Sequence, residues 1–202
     1  MTGPGDGAAM SDALWLGTAV VVSYAIGSLP PAVLVGRLRG VDLRSQGSGN
    51  PGATNAGRVL GWPFGVLVGV LDVAKGVVPA LGFGTVDPDL ALWAGAAAVL
   101  GHVTSPILRG RGGRGVATSL GAVIAVQPWW AFAAVLGFCL TLAVTRWVAL
   151  ASMVAGVVLI AAALLAADST AELVWAVFLV GVVEVRHVPN IVLWVRARRT
   201  SQ

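Results

Sequence analysis

The 202-residue chain is 57% hydrophobic and only 11% charged, with a mean hydropathy of +0.87. Soluble domains carry about 25% charged residues, so the composition excludes a soluble protein and points to an all-α, polytopic membrane protein. The net charge of +4 would suit nucleic acid. The arginines, however, lie at the ends of apolar spans, where the positive-inside rule accounts for them, and no nucleic-acid partner is expected.

The segment 1–12 holds Asp6 and Asp12 but no Lys or Arg, so it reads as a flexible external N-terminus and lacks the basic region of a signal peptide. Apolar stretches follow at 13–36, 62–84, 90–108, 116–126, 129–144, 147–167 and 171–185. A membrane span takes about 20 residues, with a range near 17–25. The fourth and seventh are short, and the fourth could join the fifth as one helix kinked at Pro128. Charge separates the two counts. With seven spans, Arg37, Arg39, Arg44, Arg58, Arg109, Arg111, Arg114, Arg146 and the basic residues of 186–199 share one side. Asp6, Asp12, Asp87, Asp89, Asp168 and Glu172 fall on the other. Six spans would scatter them. The reading is one membrane-embedded domain over 1–202, with seven transmembrane helices and a cytoplasmic basic tail at 196–202. The single Cys139 excludes an internal disulfide and reads as a core residue.

Three polar islands interrupt this pattern, at 47–58, 110–118 and 186–190. Hydrocarbon cannot solvate them, so each belongs at a water interface or in a protein cavity. The first, with Ser48, Gly49, Asn50, Thr54 and Asn55, offers small hydrogen-bonding groups, and Arg58 adds a bidentate phosphate fork. In the second, Gly112, Gly113, Arg114 and Gly115 run into a helix that carries Thr118. A glycine-rich nest of backbone N–H groups feeding a helix N-terminus suits phosphate. Arg109 and Arg111 are covered by positive-inside charge alone. The third island places His187 and Asn190 three residues apart, on one helical face. Both Gly47-x-Gly49-x-x-Gly52 and Gly110-x-Gly112-x-x-Gly115 match the dinucleotide fingerprint formally, but neither follows a strand, which makes them false matches. Asp72 and Lys75 inside the second span pair at i, i+3, either as a structural ion pair or as the floor of a site. His102 opens the second loop. Two histidines without a cysteine cluster make no metal site, and no metal or cofactor is expected.

The chain resembles the bacterial integral-membrane acyl-phosphate:glycerol-3-phosphate acyltransferase family. The residues that carry the resemblance are Ser48-Gly49-Asn50-x-Gly52-Ala53-Thr54-Asn55-x-x-Arg58, then Gly101-His102-x-x-x-Pro106 with Gly112-Gly113-Arg114-Gly115-Val116-Ala117-Thr118, and His187-x-x-Asn190-Ile191. Asp72-x-x-Lys75-Gly76 and Arg146-Trp147-Val148 look like further family features. The resemblance implies a seven-helix enzyme of the bacterial cytoplasmic (inner) membrane, with its active site facing the cytoplasm and membrane lipid around it. Its reaction would acylate the 1-hydroxyl of glycerol 3-phosphate from acyl phosphate in phospholipid synthesis. Ser48 and Arg58 would hold glycerol 3-phosphate, the second glycine-rich region acyl phosphate, and His187 and Asn190 would lie beside the reacting groups. Ser152 is similar to a family phosphate contact. Two positions depart from the family pattern: Arg114 stands where Lys is usual, and Val188-Pro189 where a charged pair is usual. Glu184, one turn upstream, is the candidate replacement for the missing carboxylate. Acyl phosphate is an activated anhydride, so direct attack by the hydroxyl needs no acyl-enzyme. The competing classes are a small-solute transporter, with Asp72–Lys75 as a midplane site, and a catalytically divergent paralogue that only binds.

Overall fold

The computed structural model describes the backbone of residues 6–199 and the side chains of 10–189. Among the described residues there is no strand, so both formal dinucleotide fingerprints lack the element they need. The helices are α1 (Asp6–Ser28), α2 (Pro31–Leu38), α3 (Ala53–Leu60), α4 (Trp62–Gly84), α5 (Pro88–Thr104), α6 (Val116–Val126), α7 (Pro128–Thr145), α8 (Val148–Ala166) and α9 (Thr170–Arg199). A single 3-10 turn, Pro106–Leu108, follows α5. Proline stands at the first or second position of α2, α4, α5 and α7, where its missing N–H is not needed by the helix.

The sequence reading is corrected at several ends. The span expected over 13–36 is broken: α1 stops at Ser28 and α2 starts at Pro31. Pro30 and Pro31 supply no N–H, and a residue before proline is driven from the helical region. Because Val33 N–H turns to Pro30 O at 3.1 Å, the carbonyl of Leu29 has no helical donor. Within the segment 1–12 the chain is helical from Asp6, and residues 1–5 lie outside the described residues. Helices α6 and α7 are separate, because Gln127 leaves helical geometry (φ −136°, ψ 78°), so no kinked helix joins them. Helix α9 continues through Pro189 to Arg199, and the last residues of the basic tail, 200–202, lie outside the described residues.

Among the described residues, five segments are long and apolar enough to cross a membrane: Met10–Leu38, Trp62–Gly84, Pro88–Leu108, Pro128–Thr145 and Val148–Ala166. Helix α6 has 11 residues, a rise of about 17 Å, and is too short to cross hydrocarbon alone.

The described helices group into two compact units, one of α1–α5 with residues 117–126, the other of residues 114–116 with α7–α9. In the first unit α1 lies along α5, and α4 packs on α3, α5 and α6. Backbones touch directly in places. A Cβ on Gly101 would strike Tyr24 O of α1, and one on Gly121 would strike Val73 O of α4. Lipid tails are as apolar as leucine, so helices in a bilayer gain little by hiding large apolar side chains and associate through small residues instead. The outside of both units agrees with that. Val21, Trp62, Val70, Trp129 and Leu140 are largely exposed, while the buried positions are rich in alanine. In the second unit α7 lies on α8 and α8 on α9, and Gln127 Nε2 donates to Glu172 Oε2 at 3.0 Å.

Candidate active site

The first island divides into a loop and a helix. Gly47 and Gly49 have φ of 60° and 70°, a region that side-chain-bearing residues avoid, and the chain then enters α3. Asn55, on the buried face of α3 and 1% exposed, holds this loop. Its Oδ1 accepts from Ser48 N–H at 2.8 Å, and its Nδ2 donates to Leu43 O at 2.9 Å and to Gln46 O at 3.0 Å. Asn55 therefore shapes the loop, where the sequence reading made it a substrate contact. Ser48, Thr54 and Arg58 are exposed, and Asn50 is half-buried. Thr54 and Arg58, four apart on α3, share a face. The loop's other end is pinned by Arg44, which donates to both carboxylate oxygens of Asp42 at 3.0 and 2.8 Å. These bonds hold the Asp42 carboxyl down at about 2, so the clamp stays charged throughout the physiological range. Asn55→Asp keeps the side chain's size but removes both donors and adds a buried charge. Unfolding stability in detergent is expected to fall by about 3 kcal/mol; an unchanged melting curve would show that the loop stands without this staple.

Inside the same unit, three ionisable residues from two helices meet. Lys75 Nζ donates to Asp72 Oδ1 at 3.0 Å and to Leu29 O at 2.7 Å, and contacts His102 Nδ1 at 2.9 Å. All three side chains are buried. The expected Asp72–Lys75 pair is present, but His102 belongs to it as well. An ammonium has three donors and no acceptor, so Nδ1 of His102 accepts a hydrogen bond from Lys75, with Asp72 Oδ1 farther off at 3.4 Å, and the imidazole's own proton sits on Nε2. That Nε2 faces Gly113, where a Cβ would collide with the ring. The proline break between α1 and α2, which orphans Leu29 O, supplies the third acceptor. A usable sequence signal existed: three ionisable residues inside apolar spans each need a polar partner, and other such residues are the partners to hand.

The second island is thereby reinterpreted. Gly112 N–H donates to Val103 O at 3.1 Å and Gly113 N–H to His102 O at 3.2 Å. The last carbonyls of α5 have no donor of their own and take these amides, so the expected open nest does not exist at Gly112 and Gly113. Their lack of a side chain lets the loop lie on His102. What remains for an anion is Arg114, Gly115 (φ 86°) and the first turn of α6. Thr118 is fully buried and its hydroxyl has no hydrogen-bond partner; its backbone carbonyl lies against Gly76 of α4.

In the second unit, His187 is 1% exposed and its Nδ1 lies 2.8 Å from Val183 O. A carbonyl only accepts, so Nδ1 carries the proton and Nε2 presents a lone pair. The two histidines are thus set in opposite tautomers. Arg114 is close enough to act on the His187 ring through its charge. Ser152 is buried in the first turns of α8 and its hydroxyl donates to Val148 O at 2.9 Å, so a phosphate contact requires it to turn. Glu184 directs Oε1 toward Gly156 of α8, and among the described residues that atom has no hydrogen-bond partner. Asn190 follows His187 on the same helix, with its side chain outside the described residues.

The sequence profile of the glycerol-3-phosphate acyltransferase family matches residues 17–197. The glycerol-3-phosphate acyltransferase of Trichlorobacter lovleyi is 39% identical over 172 residues, covering 84% of this chain and 88% of its own. That of Chlorobaculum tepidum is 40% identical over 152 residues, which is 68% of this chain and 66% of the relative. A crystal structure of PlsY, an integral membrane glycerol 3-phosphate acyltransferase, in its glycerol 3-phosphate form superposes with a TM-score of 0.86 at 36% identity, covering 91% of this chain and 93% of PlsY. Its lysophosphatidic acid form gives 0.84 at 35% identity. A match that runs through all three polar islands and most of the helices is more than a shared fold: the chain belongs to the glycerol-3-phosphate acyltransferase family.

Proposed function

We propose that this chain acylates the 1-hydroxyl of glycerol 3-phosphate with acyl phosphate as donor. Family membership makes it a membrane acyltransferase, and the PlsY forms with glycerol 3-phosphate and lysophosphatidic acid support these two as substrate and product. The hydroxyl oxygen attacks the acyl carbonyl, the carbonyl–phosphate bond breaks, and phosphate leaves with the displaced proton. The products are 1-acyl-glycerol 3-phosphate and inorganic phosphate. The donor is already an anhydride, so positioning and charge neutralisation suffice and no protein nucleophile is required.

The observation that carries this reading is His187. Its Nε2 lone pair, fixed by the Nδ1–Val183 bond and accompanied by the charge of Arg114, suits a group that accepts a hydrogen bond from the attacking hydroxyl near a phosphate. A substrate phosphate serves as the base, while His187, with Asn190 beside it, orients the attacking hydroxyl. Ser48, Thr54 and Arg58 bind glycerol 3-phosphate; Arg114, Gly115, Thr118 and Ser152 serve acyl phosphate; and Asp72, Lys75 and His102 hold the second glycine loop. We further propose seven crossings, by α1 with α2, α4, α5, α6, α7, α8 and α9, the short α6 having protein rather than lipid around its entry loop, with the signatures facing the cytoplasm of a bacterial inner membrane. Asymmetry of arginine and acidic residues supports this sidedness.

Donor choice is the test. The interhelical loops are short, and among the described residues no segment is large enough to hold the nucleotide part of coenzyme A. Purified protein is expected to release phosphate and form the 1-acyl product from long-chain acyl phosphate without added metal. Turnover with acyl-coenzyme A at comparable efficiency would overturn the donor assignment. Folded protein that turns over no donor but moves a solute into liposomes would favour the transporter class.

A further inference from the structure

A second concentration of positive charge gathers from the end of α2, the 39–52 loop and the turn that leads into the second glycine-rich loop. A cavity of about 610 Å³ is walled by Arg37, Arg44, Arg109 and Arg111 together with Ile107 and Leu108. None of these residues belongs to the sets assigned above to glycerol 3-phosphate or acyl phosphate. Of the four guanidiniums, Arg44 is paired with Asp42 at 2.8 Å, and Arg37 is near enough to act on the same carboxylate through its charge. Among the described residues no carboxylate lies within ion-pair distance of Arg37, Arg109 or Arg111. The backbone contributes nothing at the 109–111 turn, since the N–H groups of Arg109, Gly110 and Arg111 donate to Pro106 O, Ser105 O and Leu108 O. Recognition here is by side chains alone. Arg109 is also in the left-handed region, at φ 53° and ψ 44°, which is unfavourable for a residue with a Cβ. An arginine is kept at a position that glycine would occupy more easily.

The surroundings indicate the ligand. Arg37 is in the last turn of α2, which closes the membrane-length segment Met10–Leu38, and Ile107 and Leu108 close the segment Pro88–Leu108. The two segments are bound together near these ends, by Ser105 Oγ donating to Ser28 O at 2.7 Å and by Tyr24 Oη with Thr104 Oγ1 at 3.0 Å. Leu34, Leu38 and Ile107 are 50%, 86% and 57% exposed. Guanidiniums at the ends of two such segments, flanked by bare apolar side chains, match the level of lipid headgroups, where arginine attracts anionic lipid. We infer that this cavity binds the phosphate of an anionic phospholipid, whose acyl chains lie along Leu34, Leu38 and Ile107. Positive-inside topology explains the sign of these arginines but not their convergence from α2, the 39–52 loop and the turn after α5 on one cavity. A soluble phosphate compound shares the charge chemistry but makes no use of the apolar flank.

The test is lipid retention, read without substrates and therefore independent of the acyl-transfer reading. Delipidated protein in neutral detergent is titrated with phosphatidylglycerol, with phosphatidylcholine as control, and bound lipid is counted by native mass spectrometry. Wild type should prefer phosphatidylglycerol, and Arg37→Gln and Arg109→Gly should each weaken its binding by about fivefold, the contribution of one arginine near an anionic surface. Arg109→Gly relieves the left-handed backbone, so its folding is secure, and Arg37→Gln gives an independent check on a different element. Unchanged retention of phosphatidylglycerol by both variants, at wild-type melting temperature, would overturn the site. Displacement of the lipid by inorganic phosphate at equal concentration would overturn the lipid assignment in favour of a free phosphate ligand.

Discussion

Lys75→Met is expected to destabilise the protein by roughly 3–5 kcal/mol, the range for removing one partner from a buried ion pair. The size follows from what the ammonium serves. Asp72 is 2% exposed and would keep its charge with no cation. Leu29 O, already denied a helical donor by the proline pair, would lose its 2.7 Å bond, and His102 Nδ1 its 2.9 Å one. Thermal unfolding in a fixed detergent measures this directly. Asp72→Asn with Lys75→Met removes both charges, so the double variant should be more stable than the additive sum by more than 1 kcal/mol, a coupling typical of residues in contact. Because His102 would then lose its tautomer lock, activity should remain low even where stability recovers. A single Lys75→Met protein that melts like wild type would show that the triad is solvated, not buried.

Arg58→Ala should lower kcat/KM for glycerol 3-phosphate by roughly 100-fold, or about 2.7 kcal/mol. Arg58 is exposed on α3 and the fold makes no evident use of it, whereas the adjacent Asn55 is the structural member of that helix. The loss should therefore come with an unaltered melting curve, and Arg58→Lys should recover only part of it, since an ammonium cannot form the two-pronged phosphate contact. Full kcat/KM in a folded Arg58→Ala protein would remove this residue from the site. Arg114→Lys, which installs the residue usual in the family, should be tolerated; complete inactivation would mean the second loop has adapted to guanidinium.

The first island shows how far the sequence could be followed. Its density of small polar residues marks it as a candidate site, yet the same residues divide between an inward and an outward face, and only the packing of α3 separates them. Asn55 turns inward and holds three backbone groups, while Thr54 and Arg58 turn outward. Nothing in the order Thr54-Asn55-Ala56 says which neighbour will receive the Asn55 amide, because Leu43 and Gln46 reach it through the return of a loop. Gly112 and Gly113 illustrate the same limit. Glycine permits either an anion nest or close approach, and the C-terminal carbonyls of α5 decided for close approach.

Class, by contrast, was determined by the sequence alone. Scarcity of charge, apolar runs of membrane length and arginines gathered at their ends are additive along the chain and require no knowledge of neighbours. So is the i, i+3 pairing of Asp72 with Lys75, since helical geometry brings them together wherever the helix lies. Tertiary structure alone decided that His102 completes that pair, that the Pro30–Pro31 break supplies its third acceptor, and that His102 and His187 hold their protons on opposite nitrogens. Each of these is settled by which donor or acceptor from a distant part of the chain arrives within 3 Å. In a low-dielectric interior an unmatched polar group is too costly to leave, so the fold must match it, but the sequence does not say with what.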